Sequence, residues 1–136
     1  MRAFVLQDWV TIRGAAGLAS VIQNEASYAQ LDAFQDVIFW LQASEVTVGG
    51  GTVTMNYETA PIKDESLFTA MSGGSFSVTT GTLTPKVTPV LLNSAIPVAK
   101  WVRWHLTTSS TSTVWDITFR LLLVANQQVV YSVQTR

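Results

Sequence analysis

Hydrophobic and polar residues alternate with a period of two through much of this chain, which sends one set of side chains to a buried face and the other to an open one. Residues 114–125 carry the pattern furthest. Trp115, Ile117, Phe119, Leu121 and Leu123 fall on one face, and Asp116, Thr118 and Arg120 on the other. Residues 52–60 alternate Val53, Met55 and Tyr57 with Thr54, Asn56 and Glu58, and this strand is entered through a turn at Gly49-Gly50-Gly51. Residues 100–107 set Val102, Trp104 and Leu106 against Trp101, Arg103 and His105. Residues 36–44 are apolar on both faces, Val37, Phe39 and Leu41 being opposed by Ile38 and Trp40. Such a strand is central in its sheet, or its second face meets another subunit.

Weaker alternation predicts further strands at 3–13, 76–80, 86–92 and 129–134. Residues 14–17, 72–75, 81 and 109–113 supply the small, conformationally permissive residues of turns. Pro85, Pro89 and Pro97 cannot donate to a ladder, so residues 86–98 read as an edge strand with an irregular continuation. Two segments have helical character. Residues 15–30 leave a helix and an extended form with Val21-Ile22 as strand equally open. Residues 64–71 carry acids at their start and predict one helical turn, or a loop that tucks Leu67, Phe68 and Met71 onto the core. Seven to eight strands at this spacing, with at most one or two short helices, predict a single all-β domain over 1–136. Its expected form is an antiparallel β-sandwich, jelly-roll-like.

Composition narrows the function. The 136 residues are 48% hydrophobic and only 12% charged, about half the usual charged share. A formal charge of −1 gives no field to attract a polyanion, so nucleic acid is not an expected partner. No cysteine is present, which removes disulfides and thiol chemistry. The longest aliphatic run, 121–125, is far shorter than the roughly 20 residues of a membrane-spanning helix. The apolar run after Met1-Arg2 is too short for a signal-peptide core, and no membrane association is expected.

Enzyme chemistry finds little support. His105 is the single histidine and sits in the outward set of its strand, and no serine lies in a G-x-S-x-G elbow. Zinc lacks a ligand set, and no other cofactor is expected. Glu58, Asp64 and Glu65 could be imagined as calcium ligands, but acids heading a helical turn account for them. Asp32 with Asp36, and Asp64 with Glu65, are carboxylate pairs only as sequence neighbours. The glycine runs lack the P-loop lysine. The aromatic residues carry more information. Among five tryptophans, Trp40 and Trp101 fall opposite the core faces. Together with Arg103 and His105 they are the candidate interface residues, because Trp and Arg are favoured at interface centres. An aromatic face on a sandwich could equally stack on sugar rings, which leaves a carbohydrate-binding or adhesion module as the alternative.

Three stretches together carry a resemblance: 28–41 (YAQLDAFQDVIFWL), 53–68 (VTMNYETAPIKDESLF), and 99–106 (AKWVRWHL) with 115–120 (WDITFR). They resemble the small β-sandwich virion proteins of tailed bacteriophages, especially the capsid decoration or cement proteins. The likeness is one of style and element order and transfers no residue-level role. It implies a non-enzymatic, jelly-roll-like protein, made in the host cytoplasm and placed on the capsid exterior. Such a protein would oligomerise with itself and clamp neighbouring major capsid protein subunits. A small tail or baseplate subunit is a further reading. Low charge and apolar patches buried on assembly fit such a role, and chain ends at 1–3 and 134–136 could reach neighbours.

Overall fold

The computed structural model describes residues 1–14, 20–48, 52–78, 85–108 and 115–127, with the backbone alone over 72–78. Nine strands are present among them: β1 (Arg2–Gly14), β2 (Ser20–Ile22), β3 (Ala29–Gln30), β4 (Phe34–Val48), β5 (Val53–Ala60), β6 (Thr69–Val78), β7 (Lys86–Val90), β8 (Trp101–Thr108) and β9 (Trp115–Gln127). Single turns of 3-10 helix occur at Glu25–Ser27 and Glu65–Leu67. The strand expected at 129–134 and the turns expected at 49–51, 81 and 109–113 lie outside the described residues.

The strands form two antiparallel sheets. One has the order β1-β9-β4-β7 and the other β2-β8-β5-β6, with β3 also pairing to β8. Successive strands mostly change sheet: β4 and β5 lie in opposite sheets, as do β6 and β7, β7 and β8, and β8 and β9. This is the doubly wound path of a jelly roll. β4 and β5 are therefore not a hairpin pair.

Alternation explains the core. Trp115, Ile117, Phe119, Leu121 and Leu123 of β9 join Val37, Phe39 and Leu41 of β4, and they face Val53, Met55 and Tyr57 of β5 and Val102, Trp104 and Leu106 of β8. Each fully buried large side chain contributes on the order of 1.5–3 kcal/mol. Two ring contacts lock the layers: Phe39 stacks on Tyr57 at 3.9 Å, and Trp104 meets Phe119 edge-on at 5.3 Å. Burial also pushes the Tyr57 hydroxyl pKa well above its ordinary value. At the end of β1, Gly14 is opposite Trp115, and the indole occupies the space a Cβ would need.

Two expectations change and one open reading is decided. Residues 72–75 are not a turn but part of β6, where pairing to β5 overrides the turn signal. Between Asn56↔Ser75 and Glu58↔Ala70, one β5 residue faces four of β6, and Gly73 and Gly74 fall within that bulge. Of the two forms left open for 15–30, the described part, 20–30, takes the extended one, with Val21-Ile22 in strand β2 of a broken edge, and 15–19 lie outside the described residues. β2 and β3 both pair to β8, and the buried Gln23 bridges the break. Its backbone N–H donates to the Trp104 carbonyl, and its side-chain amide donates to the carbonyls of Leu6 and Ser27 and accepts from the Trp104 N–H. Finally, of the three residues expected to tuck inward after the 3-10 turn, Met71 is buried, Phe68 is half-buried and Leu67 is exposed.

Candidate functional site

The two outer faces of the sandwich have opposite chemistry, and they divide the candidate residues between them. Trp40 stands alone on the outside of the four-stranded sheet. Trp101, Arg103 and His105 line the outside of the five-stranded sheet on β8. With the core between the two sheets, these four residues cannot form one contact surface.

On the five-stranded side, parity sends Arg103 outward, yet it is 2% exposed. This corrects the expectation of an open arginine: the 61–68 connection and Tyr28 fold over it. Its Nε donates to Glu58 Oε1 at 2.8 Å, Nη1 to the Tyr28 hydroxyl at 3.0 Å and to Glu65 Oε2 at 2.6 Å, and Nη2 to Glu65 Oε1 at 2.8 Å. The guanidinium carbon lies 3.9 Å from the centroid of the Phe68 ring, which itself meets Tyr28 edge-on. Burial alone would disfavour the guanidinium charge, but the acceptors Glu65, Tyr28 and Glu58 outweigh it and raise the Arg103 pKa. Burial likewise pushes the Glu58 carboxyl up, and hydrogen bonds from His105 and Arg103, with their charge, bring it below its usual range. The exposed Glu65 is lowered chiefly by its hydrogen bonds from Arg103.

Glu58 also meets His105 Nδ1 at 3.2 Å, and His105 Nε2 lies 2.5 Å from Ser20 Oγ. Serine, histidine and carboxylate thus stand in the order of a hydrolase triad. The chain of contacts ties the short edge strand β2, through its neighbour β8, to β5 beyond it. Trp101 is half-buried under Lys63, whose ammonium lies 4.3 Å from its ring centroid.

The candidate acids have structural partners. Asp64 caps the 3-10 turn by accepting from Ser66 N and Oγ, and those bonds lower its pKa. Asp36 accepts from Leu92 N at 2.6 Å. Among the described residues, no group of three or more His, Asp or Glu could hold a metal ion.

The four-stranded side is apolar where it is most open. Cross-strand register aligns Val5, Leu122, Trp40 and Val87 in one row through all four strands, and Ala3, Val124, Ile38 and Pro89 in the next. Val5 is 63%, Trp40 41% and Val87 46% exposed. Beside Trp40, a trough of about 270 Å³ is lined by Ala3, Phe4, Val5, Leu122 and Val124. Toward the other end of the face the rows turn polar. Arg120 lies over Trp9 and donates to Gln42, and Thr11 bonds Thr118. Further exposed apolar side chains, Ile62, Leu67, Leu91, Leu92 and Ile96, lie in the 61–68 and 91–100 connections at the end of the sandwich where β4 and β8 begin. Apart from Trp40, neither place was marked in the sequence reading. Both sides of β4 being apolar was the available signal for the first.

No family model and no curated protein matches the chain. Solved structures do. The chain is similar to one in the structure of infectious bursal disease virus, Gt strain, with a TM-score of 0.52 and 14% identity, over 90% of this chain and 32% of that one. It is also similar to one in the crystal structure of the infectious bursal disease virus VP2 subviral particle, with a TM-score of 0.52 and 15% identity, over 90% and 31% respectively. The chain thus spans about a third of those chains. At this identity the likeness is one of fold.

Proposed function

We propose that this chain is a structural protein of a virus particle. In its finer form the reading is a capsid decoration or cement protein of the tailed-bacteriophage kind, which associates with itself and holds neighbouring major capsid subunits from outside. The observation that carries it is the apolar band crossing all four strands of one sheet, left open in a chain with only 12% charged residues. A monomer that works alone would cover such a face with Lys and Glu. Its fold likeness to chains of a virus and of a subviral particle adds support. So do the exposed apolar side chains in two places, on the sheet and at the loop end. A cement protein needs two kinds of contact, to its own copies and to the lattice, and repetition lets each be weak.

The carbohydrate-binding alternative fits less well. The Trp40 trough is walled by apolar side chains, whereas a sugar site needs placed polar groups for the hydroxyls, and Trp101 is covered by Lys63. Quantitative mass spectrometry of purified particles from the source tests the proposal. The chain is expected in a fixed ratio to the major capsid protein. Its absence from the particles would overturn the reading.

A further inference from the structure

Taking the sheet face as an assembly surface, as the proposed function does, we infer that its occupant is a second copy of the same chain, stacked face to face about a two-fold axis running along the strands.

Size comes first. The four strands have 13, 13, 15 and 5 residues. At about 3.3 Å per residue and roughly 4.8 Å between strands, they span a plane of roughly 700 Å². Each partner in a standard stable interface gives about 800 Å². The face is apolar over the two rows of its Trp40 half and polar over its other half.

Shape is the more specific argument. In a two-fold contact, whatever residue i touches on the partner must touch residue i in return. A two-fold axis parallel to the strands and between β9 and β4 would lay β4 of one copy over β9 of the other, and β1 over β7. Trp40 is the protruding residue on β4. The trough over Leu122 lies in the same row, walled by Phe4 and Val5 of β1 on one side and by Trp40 itself on the other. Each Trp40 would enter the partner's trough while its own trough receives the partner's Trp40. Val5 would meet the partner's exposed edge at Val87. Sheets stacked this way sit about 10 Å apart, at the aligned angle of ordinary sandwiches.

Charge agrees. The eight residues of the two apolar rows carry none, and the polar half of the face balances Arg13 and Arg120 against Glu45 and Asp116. Identical copies would not repel. A partner selected by charge would call for one sign on the rim.

Size-exclusion chromatography with light scattering on the full chain tests the inference. The wild type should be dimeric at concentrations of about 10 µM and above, and Trp40→Lys and Leu122→Lys should each weaken dimerisation by at least ~100-fold. Thermal melts by circular dichroism should still show cooperative unfolding, since both side chains point out of the core. Ile62→Lys, at the loop end, should leave the dimer intact. A wild type that stays monomeric, or a dimer that persists in both folded Lys variants, would overturn the pairing. So would a monomer whose Trp40 face binds isolated capsid protein. Particle content separates this from the functional reading: a monomeric chain still found in particles defeats only the self-pairing, and a dimer absent from particles defeats only the function.

Discussion

Replacing Arg103 by Met keeps length and apolar bulk while removing the charge and its five donors, and it is the sharpest probe of the polar outer face. Two partners of very different exposure compete in the outcome. Glu58 is 13% exposed and its bond to Nε is a buried charged one, whereas Glu65 is 68% exposed. A hydrogen bond to a buried charged group contributes about 1.5–3 kcal/mol, and a solvent-exposed ion pair about 0–1 kcal/mol. The stacking over Phe68 adds on the order of 1 kcal/mol. His105 still reaches Glu58, which limits the damage. Arg103→Met should therefore cost about 3 kcal/mol, near the lower end for breaking a buried pair. In a chain of this size, that lowers Tm by roughly 10 °C. A double-mutant cycle by urea unfolding divides the loss. Coupling of Arg103 to Glu58 should exceed about 1.5 kcal/mol, and coupling to Glu65 should stay below about 1 kcal/mol. Equal couplings, or a loss under about 1 kcal/mol for Arg103→Met, would refute the claim that burial of Glu58 makes the clasp.

Other consequences follow from single observations. Gln23→Leu should cost roughly 2–4 kcal/mol, because the carbonyls of Leu6 and Ser27 and the Trp104 N–H would lose their partners inside the fold; urea unfolding measures it. Gly14→Ala would drive a Cβ into the Trp115 ring and should destabilise by about 2 kcal/mol or more, with a changed Trp fluorescence, whereas an unchanged midpoint would show that the indole moves freely. Acid should weaken the fold in a defined window. The carboxyls of Glu58 and Glu65 lie below their ordinary value of 4.5 in the folded chain. The unfolded chain therefore takes up their protons first, so this stabilisation is complete above pH about 5.5 and is lost as pH falls through the folded values. Tm measured against pH should fall below that point, and less steeply in Arg103→Met.

Alternation along the sequence made the core legible in β5, β8 and β9, because inward parity there depends only on local residues. It could not say which strands pair, since a period of two assigns a face and not a neighbour. Arg103 shows the limit. Its outward parity was right, but its burial arises from Tyr28, Glu65 and Phe68, two of them on a turn that packs over β8 from 38 and 35 residues earlier. Trp101 is covered by Lys63 for the same reason. Residues 20–30 were ambiguous because one glutamine replaces the backbone ladder where the edge strand breaks. Glycines at 73 and 74 signalled a turn when the sheet used them for a bulge. Trp40 was legible because β4 is apolar on both sides. The rows that extend its surface across β1, β9 and β7 required the register.

Cryo-electron microscopy of particles from the source tests the central claim most directly. The account predicts repeated density for this sandwich on the particle exterior, its four-stranded sheet and its 91–97 end both buried against other protein. Particles without that density, or with both places facing solvent, would contradict it.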